Sequence, residues 1–76
     1  MTSNTLTKIL SLLRPTNALA LYAVVETLSE DNILKANITT LSKLLDVKTA
    51  TIVDNKKRLV DLGVIKSDSF DKIELL

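Results

Sequence analysis

The chain of 76 residues contains no cysteine and no histidine. Disulfides, thiolate chemistry and the usual ligands of a zinc site are therefore excluded. A chain without cysteine fits the cytosol, where thiols stay reduced. Glycine and proline occur once each, as Gly63 and Pro15, so the breaks between elements are few and easy to place. No apolar run reaches the roughly 18 residues that a membrane span needs. The first residues, Met1 to Thr7, carry no charged side chain and do not resemble a secretory signal. No glycine-rich phosphate loop and no paired acids at ligand spacing are present. The expectation is a protein that is not an enzyme, with no cofactor, no metal and no evident site for a small-molecule effector.

What remains is a chain that is 46% apolar, enough for one folded domain over residues 1–76. A domain this short buries a modest core, and dimerisation is a natural way to cover more surface. The net charge is only +1, but it is unevenly spread. Residues 1–46 are neutral on balance. Residues 47–66 set Lys48, Lys56, Lys57, Arg58 and Lys66 against Asp54 and Asp61, a net +3. Residues 67–76 set Lys72 against Asp68, Asp71 and Glu74, a net −2. The positive segment is the footprint expected of phosphate binding.

Apolar periodicity orders the elements. Leu6, Ile9, Leu10 and Leu13 fall at i, i+3, i+4 and i+7, one face of a helix over residues 4–13. Pro15 ends it. Thr16 or Asn17 caps a second helix running to about Ser29, apolar on more than one side. Tyr22 there reads as core or interface. A short strand is placed at Ala36 to Ile38. Thr39 caps a third helix from Thr40 to Leu45, with Leu41, Leu44 and Leu45 facing inward. Asp46-Val47-Lys48 is a tight turn, and a fourth helix runs from Thr49 to Leu62, where Gly63 stops it. Two β-prone runs, from Val64 and from Lys72, flank a turn-rich stretch and read as a hairpin with a four- to five-residue loop. Phe70 lies in that loop, packed or exposed. The fold class is mainly α with a small β-hairpin.

Two helices joined by a three-residue turn form a unit whose second helix can enter a DNA major groove. The stretch from Thr39 to Ile52, and its continuation Leu59-Val60-Asp61-Leu62-Gly63-Val64-Ile65-Lys66, resembles the winged helix-turn-helix of multiple-antibiotic-resistance-type repressors. The resemblance covers about residues 38–76. It implies a winged helix-turn-helix fold of about four helices plus a short wing. It implies Leu41, Leu44, Val47, Ile52, Leu59 and Ile65 as core, and the exposed N-terminal half of the fourth helix as the DNA reader. The chain departs from the pattern at Asp46 and Lys48, where many relatives have glycine and serine, and at the outward Asp54. Lys56 falls near the middle of the apolar face of Ile52, Val53, Leu59 and Val60. Either its stem lies along that face with the ammonium in water, or the helix packs in another orientation.

The candidate DNA-binding residues are Thr40, Lys43, Lys48, Thr49, Thr51, Asp54, Asn55, Lys57, Arg58 and Lys66. Threonine and asparagine are short hydrogen-bonders suited to phosphates and base edges, and the cations neutralise phosphates. Asp54 is able to accept from cytosine. The acidic wing is expected to add little. Leu6, Ile9, Leu10 and Leu13 form the candidate dimer interface. The leading expectation is a sequence-specific double-stranded DNA-binding protein, a transcriptional regulator acting as a cytoplasmic homodimer (on the nucleoid, in a bacterium or archaeon). The alternatives are a protein–protein adaptor, or a DNA-binding factor of plasmid or viral replication or partition.

Overall fold

A computed structural model describes residues 1–76. Helix α1 spans Ser3–Leu10, with the Thr2 side chain accepting from the Thr5 amide at its start. It ends three residues earlier than its apolar spacing predicts. The Ser11 hydroxyl donates to the Lys8 carbonyl at 2.6 Å, and Arg14 turns into the left-handed region at φ 57. The Leu13 and Arg14 carbonyls are instead acceptors for the distant Arg58 guanidinium. Helix α2 spans Thr16–Leu28, and its cap is Pro15 rather than Thr16 or Asn17.

Strand β1 is Ile33–Lys35, not residues 36–38 as expected. Asn37 accounts for the difference. Its Oδ1 accepts from the Thr40 amide at 2.8 Å, making Asn37 the cap of α3, which spans Ile38–Leu45. The chain must leave the strand before the cap, so the strand lies further back. Asp46 closes α3 in the left-handed region at φ 53 and ψ 49, a conformation aspartate tolerates better than most residues. The Val47 amide returns to the Ser42 carbonyl at 3.1 Å while the Ser42 hydroxyl donates to the Val47 carbonyl at 2.7 Å. This double clasp holds the short connection to α4, Thr49–Asp61.

At the end of α4 the Gly63 amide donates to the Val60 carbonyl at 2.9 Å and the Val64 amide to the Leu59 carbonyl at 3.3 Å. These are the two bonds of a Schellman ending, with Gly63 left-handed at φ 75. A Cβ on Gly63 would meet nothing within 4 Å, so the glycine is required only by its backbone. Gly63→Ala is expected to cost about 1 kcal/mol, the left-handed penalty less the entropy removed from the unfolded chain. A urea midpoint that falls with an unchanged m-value is the corresponding observation.

Strands β2, Ile65–Ser69, and β3, Lys72–Leu75, form a hairpin whose loop is only Phe70-Asp71. The expected longer loop is shortened because Ser69 pairs with Lys72; the register shifts between Lys66 and Ser69, where the Ser67 hydroxyl donates to the Lys72 carbonyl at 3.1 Å. The sheet is antiparallel in the order β1-β3-β2. It contributes Leu34, Ile65 and Ile73 to the core, where Ile9, Ala18, Leu21, Val25, Leu41, Ile52 and Leu59 meet them from the four helices. Leu44, expected inside, is 55% exposed. Leu41 and Leu45, expected inside with it, do pack there, Leu41 in the core and Leu45 against it. No helix is long and apolar enough to cross a membrane.

Candidate functional site

Helix α4 packs against α2 and α3 and leads into β2. Its inner face is Ile52, Asn55 and Leu59, all buried. This settles the orientation that Lys56 left open: Val53 and Val60 turn outward, and an asparagine turns inward. Burying an amide is costly unless it is hydrogen-bonded. Asn55 meets that condition at both ends. Its Nδ2 donates to the Thr51 carbonyl at 2.8 Å, and its Oδ1 accepts from Arg58 Nη1 at 3.1 Å. Asn55 is 4% exposed, so this expected base-reading residue is a core residue instead.

Arg58 is redirected in the same way. Its guanidinium donates to the Asn55 side chain, to the Arg14 carbonyl at 3.4 Å and to the Leu13 carbonyl. Those partners engage Nη1 and Nη2 and hold the group against its own chain. Arg58, expected to contact phosphate, is held by these bonds as a clamp between α4 and the α1–α2 connection. Lys66, on β2, pairs with Asp68 at 3.4 Å, which reduces its charge toward outside ligands.

The other candidates face solvent. Thr40, Lys43, Lys48, Thr49, Asp54 and Lys57 are exposed, and Thr51 is half-buried. They draw together the exposed side of α3, the turn and the outer face of α4. Lys48 occupies the cap position of α4, but no side chain caps that helix. The first amides of α4 are therefore left to water or to an anion, in a partial positive field that favours the latter.

Lys56 lies beside this face, half-buried against the hairpin. It lines a cleft of about 320 Å³ with Ile38, Val53, Lys57, Val60, Ser67 and Phe70. Burial pushes its ammonium below the ordinary lysine pKa. No carboxylate pairs with it; the ion pairs of the chain are Met1–Glu26 and Lys66–Asp68. Phe70, at the hairpin tip, is 85% exposed. The importance of Lys56 and Phe70 together was not readable from the sequence, because β2 and α4 meet only in the fold.

The candidate dimer stripe divides. Ile9 is fully buried within its own chain and is therefore removed from any interface. Leu6, Leu10 and Leu13 are 37%, 54% and 83% exposed, and Leu13 lies beyond the end of α1. No group of three acidic, histidine or cysteine side chains converges anywhere. Compared with known proteins, the chain matches no family, no curated protein and no solved structure.

Proposed function

We propose that the chain is a winged helix-turn-helix domain that binds double-stranded DNA, with α3 and α4 as the helix-turn-helix and β2–β3 as the wing. The observation that carries this reading is the one-sided attachment of α4. Ile52, Asn55 and Leu59 hold it, while Thr49, Asp54 and Lys57 stay open on the outer side beside Lys43 and Lys48. A helix anchored by one stripe and open on the other has the form needed to enter a major groove. Its uncapped N-terminus, with Lys48 at the threshold, supports a phosphate contact there. Thr49 and Asp54 are the side chains assigned to base edges, and Lys43, Lys48 and Lys57 to the backbone.

Exposed Leu6, Leu10 and Leu13 support a homodimer. A symmetric pair presents two copies of α4 about 34–36 Å apart, one turn of DNA, as a transcriptional regulator of a palindromic site requires. Titration of duplex DNA across a salt series tests the reading. Three phosphate contacts per chain give a slope of log K against log salt of about −2.7 per protomer. A folded protein that binds no duplex at about 50 mM salt overturns the proposal.

A further inference from the structure

The cleft between α4 and the hairpin is centred on a different stripe of α4 from the proposed DNA face and meets that face only at Lys57. Val53, Lys56 and Val60 recur at i, i+3 and i+7, about 100° around the helix from Asp54, Lys57 and Asp61. Val53 is 50% exposed, Val60 40% and Phe70 85%. Single exposed apolar residues need no explanation, but three that border one concavity do. With Ile38 they form a floor and a wall of branched and aromatic surface.

Charge decides what fits. The cleft carries two lysines, Lys56 and Lys57, and no carboxylate. Asp68 lines the adjoining hollow with Lys56 and Phe70, but its carboxylate pairs with Lys66 at 3.4 Å and not with Lys56. Lys56 has given up part of its hydration without gaining an ion-pair partner, an arrangement whose cost an incoming carboxylate offsets. Duplex DNA or a free inorganic anion would satisfy the lysines and leave the valines and Phe70 without a partner. A helix with leucine or phenylalanine on one side and aspartate or glutamate along its border satisfies both.

We infer that this cleft docks an acidic, amphipathic segment of a partner protein, its apolar side chains seated on Ile38, Val53, Val60 and Phe70 and its carboxylates on Lys56 and Lys57. The inference does not rest on DNA binding; a chain that bound no duplex would still offer this surface.

The test uses the full chain and two synthetic helical peptides of about 18 residues. Both carry leucine at i, i+3, i+4 and i+7. One has glutamate and the other lysine at the flanking positions. Fluorescence anisotropy is expected to show the glutamate peptide binding at least about tenfold more tightly than the lysine peptide. Val60→Ser and Phe70→Ser alter exposed side chains, so their helical circular dichroism should match the parent. Each is expected to weaken the glutamate peptide by about tenfold and to leave duplex DNA affinity unchanged. Lys48→Ser, outside the cleft, is expected to leave peptide binding unchanged. Equal affinity for the two peptides, or no binding of the glutamate peptide at about 1 mM, overturns the inference. So does a Phe70→Ser variant that loses duplex DNA and keeps the peptide, since the cleft would then belong to the nucleic-acid site.

Discussion

Arg58→Ala is expected to destabilise the domain by about 2 kcal/mol and to leave the salt dependence of DNA binding unchanged. The first effect follows from what the guanidinium holds. Its removal leaves the buried Asn55 Oδ1 without a donor and releases the Leu13 and Arg14 carbonyls. Hydrogen bonds to a charged group are worth about 1.5–3 kcal/mol when buried, and two of these three are solvent-exposed, so the lower part of that range applies. A domain of this size has a total stability of about 4–11 kcal/mol, so the loss is a large fraction of it. Arg58→Lys should recover little, because an ammonium cannot span three acceptors held in a planar fork. The second effect separates a clamp from a phosphate contact. Removing a phosphate contact lowers the salt slope by about 1, whereas removing a clamp lowers the folded population without changing the slope. A urea midpoint left in place, with a slope reduced by about 1, would show that Arg58 points to DNA after all.

The double substitution Lys48→Ser with Lys57→Gln is expected to do the reverse, weakening DNA binding by about 100-fold at about 0.1 M salt while the fold holds or gains. Both lysines are exposed, and neither belongs to an ion pair. Serine at position 48 introduces the side-chain cap that α4 lacks, worth about 0.5–1 kcal/mol. Two phosphate contacts per protomer are removed, so the slope should become shallower by about 2 per protomer. Such a gain in stability at the expense of function is expected where a residue is kept for its ligand rather than for the fold. An unaltered affinity for duplex DNA would remove Lys48 and Lys57 from the interface and leave the proposed DNA face without its principal cations.

Much of the fold was legible in local pattern. Leucine and isoleucine at helical spacing located α1, α3 and α4, and Gly63 marked a true helix end. The errors fall where a polar side chain acts locally in one of two ways. Thr39 reads as the cap of α3, but Asn37 is as good a cap by type, and its extended backbone makes it the one used. Ser67 and Ser69 read as turn residues, yet they stay in an edge strand. The candidate site was less legible, for a different reason. Arg58 and its carbonyl partners are 44 and 45 positions apart, and no window of sequence joins them. Without that clamp, Lys57 and Arg58 read alike as phosphate-neutralising cations, and only Lys56 is set apart by its place on the apolar face. In the structure the three members of this run have three fates: Lys56 is half-buried in the cleft, Lys57 stands exposed at its rim and Arg58 turns back to its own chain.

The strand order β1-β3-β2 also has a consequence in time. The two outer strands, Ile33–Lys35 and Ile65–Ser69, do not pair with each other, and both depend on Lys72–Leu75 between them. That central strand is the last of the three to leave the ribosome. The helices pack on one another without it, α4 chiefly on α2 and α3, and are free to gather before it arrives, but no part of the ladder is. Synthesis therefore runs from the rim of the sheet to its middle. The four residues of the central strand, emerging after both outer strands, convert two unpaired segments, on opposite sides of the chain's history, into one sheet.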